Sequence, residues 1–492
     1  MYQHHQNQLV LPDDFFLPFG GKLNKNNRWV TLAGLIPWSK VEEKYAESFQ
    51  STFKGQKAVS VRTALGSLII KERLGLSDRE TVQQITENPY LQYFIGLPRF
   101  TEEAPFHHSL MTHFRKRLGK DIINEVNEWI VQGESNSQDD ANDNDDPPSH
   151  GGPSAEPPSE GRTSETVTHQ GKLLLDATCA PADIRYPTDL SLLNEGREKL
   201  EHIIDVLHAP HRGIERKPRT YRQKAHKEYL KIAKQRRPKP RKIRKAVGQQ
   251  LRFVKRDLNI ISDLAEKTPL TELSHQEYRE LLVIGELYQQ QEEMFDNRSH
   301  RIDHRIVSIS QPHVRPIVRG KTQTPVEFGA KVAASVVDGY AMMEKLEWDN
   351  YNEALSLQES AEAYRERYGV YPIAILADQI YRNRDNRRYC KDRGIRLSGP
   401  PLGRPSKSQQ EQAEQKQLAK QDAAERNEIE GIFGKGKRHR GLGLIQACLQ
   451  ETSETVIALQ FLVMNLDRKL RFLFWIFARC LFKIRLELIP AL

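Results

Sequence analysis

One stretch divides this chain before any fold can be chosen. Residues 133–167, which include GESNSQDDANDNDDPPSHGGPSAEPPSEGRT, hold almost no large apolar side chain. Such a segment buries too little surface to offset the entropy of ordering it, so a disordered linker is expected there. Structure must then be built on either side: a helical region in 1–132, a larger domain in 168–445, and a helical segment in 446–492.

The flanking sequence can support cores. The chain has 492 residues, 38% of them hydrophobic and 28% charged, which fits a globular protein of more than one domain. Its formal net charge is +9 and its pI about 9.1, favouring an anionic partner, nucleic acid before membrane. Cys179, Cys390, Cys448 and Cys480 are scattered with no CxxC pair, which argues against a zinc or redox motif and fits a reduced, cytoplasmic compartment. The N-terminal MYQHHQNQLVLPDDFF lacks a signal-peptide pattern. Near the C-terminus LRFLFWIFARCLFKI is apolar, but Arg479 and Lys483 interrupt it short of the roughly 20 apolar residues that span a bilayer. It reads as a buried or partner-facing helix.

Residues 1–132 read as mainly helical. Ser77 and Glu80 have capping-box spacing, and Asn88-Pro89 reads as an N-cap followed by a first-turn proline. Leu110, Phe114 and Leu118 recur at helical spacing. Short helices with tight joins allow either a DNA-binding helix-turn-helix unit or an ordinary helical bundle, and periodicity favours the bundle.

Beyond the linker, Leu173–Leu175 suit a buried strand with Asp176 at its end. A charged helical insertion, about 189–301, follows. From Arg212 to Lys245 it holds sixteen Lys or Arg against two acids, Glu215 and Glu228. This one-sided run, in which Arg236, Arg237, Lys239, Arg241 and Lys242 are densest, is suited to backbone phosphates. Two strands then flank an Asp338-Gly339-Tyr340 turn, a helix is expected through Tyr351 to Tyr368, and PIAILADQIY supplies another strand ending at Asp378. Strand, hairpin, helix, strand is the opening order of a ribonuclease-H-like sheet. The expected class is therefore α/β (α+β): a mixed sheet with a basic helical insertion and an N-terminal helical domain. Asp176 and Asp378 would end adjacent central strands.

The last chemically distinctive stretch is RNEIEGIFGKGK. On a helix Arg426, Glu430, Phe433 and Lys437 fall along one face, placing a carboxylate between two cations. Glu425 and Glu428 lie off that stripe, and Gly431, Gly434 and Gly436 weaken the helix by roughly 1 kcal/mol each relative to alanine. Two aspartates and a helix-borne glutamate are hard oxygen ligands for Mg2+ or Mn2+. Two such ions, about 4 Å apart, assist in-line displacement at phosphorus.

The triple Asp176, Asp378 and Glu430 resembles the acids of the DDE transposases of bacterial insertion sequences, in the branch around insertion sequence 5. Of the Y-x2-R-x3-E-x6-K signature found in that broader group, Arg426, Glu430 and Lys437 are present and Ala423 stands where the tyrosine belongs; Tyr381 and Tyr389 are the alternative rings. LLLDAT, ILADQIYRNRDN and GPPLGRP are similar to this branch as well. The resemblance implies metal-dependent cleavage and joining of double-stranded DNA at terminal inverted repeats. It also implies that Arg426 and Lys437 grip phosphates, that a homodimer pairs two element ends, and that the setting is bacterial and nucleoid-associated, without a membrane. Two readings compete with it: a DNA-binding protein that has lost catalysis, for which the basic tract suffices, and a stand-alone ribonuclease-H-like nuclease.

Overall fold

β1 (Lys172–Pro181) is the strand from which the central sheet is built. Its apolar residues alternate between two cores: Leu174 packs on one face, Leu173 and Leu175 on the other. The computed structural model describes residues 11–49, 58–139, 169–318, 326–400 and 408–487. Its elements in chain order begin with α1 (Arg28–Leu35), α2 (Trp38–Glu47), α3 (Val61–Leu74), α4 (Asp78–Glu87), α5 (Pro89–Phe94) and α6 (Leu110–Asp139), followed by β1. The insertion supplies α7 (Asp189–His208), α8 (Arg222–Ala233), α9 (Pro240–Ala265) and α10 (His275–Asp296). Then come β2 (Arg315–Val318), β3 (Val326–Val337), β4 (Tyr340–Glu347), α11 (Ser356–Tyr368), β5 (Ala374–Leu376), α12 (Arg384–Asp392), β6 (Arg396–Leu397), α13 (Gln409–His439) and α14 (Gln450–Glu487).

The sheet order is β2-β3-β1-β5-β6, with β4 also on β3. β1 and β3 are antiparallel, whereas β5 and β6 run parallel to β1 and to each other in turn. This is a ribonuclease-H-like sheet with helices on both faces. Asp338 (φ 48°) and Gly339 (φ 77°) form the β3–β4 turn, and positive φ at both positions suits the twist of a two-residue hairpin. Gly329 of β3 lies opposite Pro181, and a Cβ there would come within 2.1 Å of the Ala180 carbonyl oxygen. Glycine lets the two backbones approach.

Helix starts follow local chemistry. The Ser77–Glu80 capping box and the Asn88 cap with Pro89 in the first turn both form. α3 is enclosed almost throughout, with Leu65, Leu68, Ile69 and Ile70 fully buried, so it cannot enter a DNA groove. Helix α6 changes direction at Gly119 (φ 57°, ψ 170°) and continues to Asp139, past the expected start of the linker at Gly133. Residues 140–168, and most of GPPLGRP, lie outside the described residues.

The N-terminal helices, the first half of α14 and one sheet face share a single core. Asn465 of α14 binds both the N–H and the carbonyl of Ala341 in β4, at 2.9 and 2.7 Å, and donates to Asn127 of α6. The insertion has a separate core, including Leu200, Ile204, Leu251 and Ile284. Of the two expectations for the far end of α14, the buried one does not hold for Phe472, Leu473, Phe474, Trp475 and Ile476, which are exposed. Among the described residues no helix is long and apolar enough to cross a membrane.

Candidate active site

Asp176 is not at a strand end. β1 continues through Pro181 because Ala177, Thr178, Cys179 and Ala180 pair with β3, and Asp176 itself lies opposite Ala334. Its pairing with β5, however, stops at Leu174–Leu376. Asp176 and Asp378 each follow that last pair by two residues, so strand alternation turns both toward the α13 side of the sheet.

α13 is clamped above them. Lys172 Nζ donates to both Glu425 oxygens at 2.8 Å, and Arg396 of β6 forms a two-point pair with Asp422 at 2.5 and 2.9 Å. Ile429 and Phe433 bury the helix's inner face. The helix runs unbroken through Gly431, Gly434 and Gly436, because packing overrides their low propensity. At Gly436 a Cβ would lie 3.1 Å from Met464 Sδ, so that glycine lets α13 approach α14 closely. Glu428 faces Arg468 of α14 at 3.8 Å, away from the stripe.

Arg426 is the hub. Its Nη1 donates to Asp378 Oδ1 at 3.0 Å, and Nη2 lies 3.9 Å from Glu430 Oε1. The Asp378 side chain is 61% exposed and that of Glu430 58%. Asp378 also accepts the Gln379 N–H at 2.7 Å; that bond first, and Arg426 second, lower its pKa against partial burial. Asp176 behaves oppositely. Burial pushes its pKa up to about 6, and the Glu353 and Glu430 carboxylates push the same way, against the Ala177 N–H and Arg426. Glu353 was missed in the sequence because it lies in the turn before α11, where its carboxylate meets Lys331 Nζ at 2.9 Å. No local pattern marks it.

The three oxygen donors suit a hard divalent cation. A carboxyl group driven up to about 6 by burial and by acidic neighbours is a group that added positive charge would ionise. Among the described residues no three His, Cys, Asp or Glu side chains are drawn close enough to hold a metal ion, and Arg426 lies against both Asp378 and Glu430.

The remaining expected residues lie elsewhere. Lys437 Nζ is 3.9 Å from Glu327 Oε2 at the start of β3. Arg236, Arg237, Lys239, Arg241 and Lys242 are exposed on the α8–α9 join and the start of α9, engaged in no ion pair among the described residues. Tyr381 and Tyr389, the alternative rings, are both buried in the α11 face of the sheet, and Tyr389 donates to Glu362 at 2.6 Å.

A ribonuclease-H-like sheet carrying two aspartates beneath a glutamate-bearing helix defines a class, and comparison with known proteins names it. Residues 375–467 match the family "Transposase DDE domain" and residues 18–117 match "Transposase domain (DUF772)"; the chain belongs to the transposases. The first range contains Asp378, Arg426, Glu430 and Lys437, whereas Asp176 and the insertion fall between the two. The chain is similar to an uncharacterized protein, ORF8 in the nfe locus of Rhizobium meliloti, at 30% identity over 193 residues, or 39% of this chain and 78% of that protein. No solved structure matches it.

Proposed function

We propose that the chain is a transposase that cuts double-stranded DNA at the terminal inverted repeats of an insertion sequence of the insertion-sequence-5 branch and joins the released ends to target DNA. The observation that carries this reading is the placement of Arg426, which pairs with Asp378 at 3.0 Å, lies 3.9 Å from Glu430 and, like Glu430, acts on the charge of Asp176.

Asp176, Asp378 and Glu430 would hold Mg2+ or Mn2+, two ions in all, which when bound supply charge to an attacking and a leaving oxygen. Arg426, which pairs with Asp378 and lies near Glu430, would present its guanidinium to a phosphate beside the scissile bond. Lys437, further along the same helix face, grips a second phosphate. Burial and the neighbouring carboxylates hold the Asp176 pKa up at about 6, and positive charge entering the site would drive its proton off and leave the carboxylate free to ligate. The basic tract neutralises backbone phosphates at a distance, and two copies pair two ends.

Replacing Asp176, Asp378 or Glu430 singly with alanine should reduce cleavage of an inverted-repeat duplex by about a hundred- to a thousandfold, on the order seen for loss of a principal electrostatic group, with duplex binding retained. Wild-type cleavage by any one variant removes that residue from the site. Joined products from pre-cut ends with Mg2+ separate a transposase from a simple nuclease.

A further inference from the structure

Away from the carboxylates, where the helical insertion meets the β2–β3 edge, lies a cavity of about 820 Å3. Tyr186, on the loop leaving β1, stands at this cavity 72% exposed, its ring edge-on to Phe328 of β3 at 5.5 Å between centroids. Ile243 and Pro238 extend the apolar wall, and Arg185 and Arg301 bring positive charge to it. Gln235 and Pro238 both line the cavity and bracket Arg236 and Arg237 in the chain. The wall is braced: Arg305 binds Asp189 at 2.6 Å, and Gln311 Nε2 donates to the Asp183 carbonyl at 3.1 Å.

Phosphate recognition alone needs no apolar pocket, and a duplex keeps its bases stacked out of reach. An accessible aromatic ring, an apolar wall and surrounding guanidinium groups match a planar base tethered to a phosphate chain. The cavity is also tied to the acid site by two elements. β1 carries Asp176 and leads directly into Arg185 and Tyr186; α13 carries Glu430 and then Lys437, which reaches Glu327, the chain neighbour of Phe328.

We propose that this cleft holds the base of an unpaired nucleotide in the DNA strand running from the acid site. The assignment rests on the transposase reading for its choice of DNA, but its test needs no cleavage. Fluorescence anisotropy of the full chain, without divalent metal, would compare single-stranded DNA, the same strand with abasic sites, and duplex. Tyr186→Ala should weaken single-strand binding about tenfold, Tyr186→Phe should leave it unchanged, and neither should alter duplex binding. The alanine effect should vanish on the abasic strand. Arg185→Gln, which leaves the ring in place, should weaken the intact and abasic strands alike, and thermal melts of each variant exclude misfolding as the cause. Equal single-strand affinity in Tyr186→Ala and wild type, or equal losses for duplex and single strand, would overturn the proposal. So would displacement of the single strand by a free deoxynucleoside monophosphate at low concentration, which assigns the cleft to soluble nucleotides. A protein that binds as expected here yet cuts no DNA would keep the cleft and lose the transposase reading.

Discussion

Asp176 illustrates how one side chain trades stability for chemistry. Its pKa rises from 3.8 to about 6 on folding, so the native state holds a proton that the unfolded chain has already lost over that interval. Stability from this group is full below about pH 4, falls as pH rises toward 6, and stays low above it. Asp176→Asn should therefore be more stable than wild type near pH 8, by on the order of 2–3 kcal/mol, and melt correspondingly higher, with the difference gone by about pH 3.5, below both pKa values. Melting curves at the two pH values test this, and equal midpoints near pH 8 would place the carboxyl in a less buried setting. Arg426 and Glu353 act on the same group from opposite directions. Arg426 announces itself by its spacing from Glu430; Glu353 does not, since only the turn into α11 brings it within range of β1.

Among the elements, α13 and the α8–α9 join carry the charges on which the proposed DNA chemistry rests. α13 is legible as a charged stripe, yet its position over the sheet depends on Lys172–Glu425 and Arg396–Asp422. Glu425 lies off that stripe, and Asp422 precedes it by one turn. The α8–α9 join presents its cations to solvent without acidic partners among the described residues. Changing Arg236, Arg237, Lys239, Arg241 and Lys242 together to glutamine should weaken duplex binding for every sequence. It should also flatten the dependence of log affinity on log salt, by about 0.9 for each phosphate no longer neutralised. An unchanged slope in a salt titration would show that DNA passes elsewhere.

At the scale of the molecule, the distribution of cores matters more than the linear order. α1–α6 and α14 cover the sheet as part of one core, while the insertion encloses its own. Residues 187–311 expressed alone should give a helical protein with a cooperative thermal transition, whereas residues 169–445, stripped of both ends, should show that same transition and leave the sheet unprotected. Amide hydrogen exchange of the larger fragment decides the matter; protection of β1 and β3 in it would mean that the helices at the chain ends are accessory. The exposed aromatic end of α14 belongs to this scale too, because its surroundings are set by nothing in its own helix.

What could be read along the chain is what local chemistry fixes. The capping residues, the β3–β4 turn and the apolar run Leu173–Leu175 are all of this kind, since each depends on neighbours a few residues away. It took the folded molecule to show that Asp176 sits within a strand, that Tyr381 and Tyr389 are enclosed, that three glycines persist in a helix, and that the Glu353 carboxylate acts on Asp176. One cause underlies all of these. Register across strands, burial against a distant helix and the electric field at a carboxyl group are sums over residues far apart in the chain, and no spacing along it encodes them.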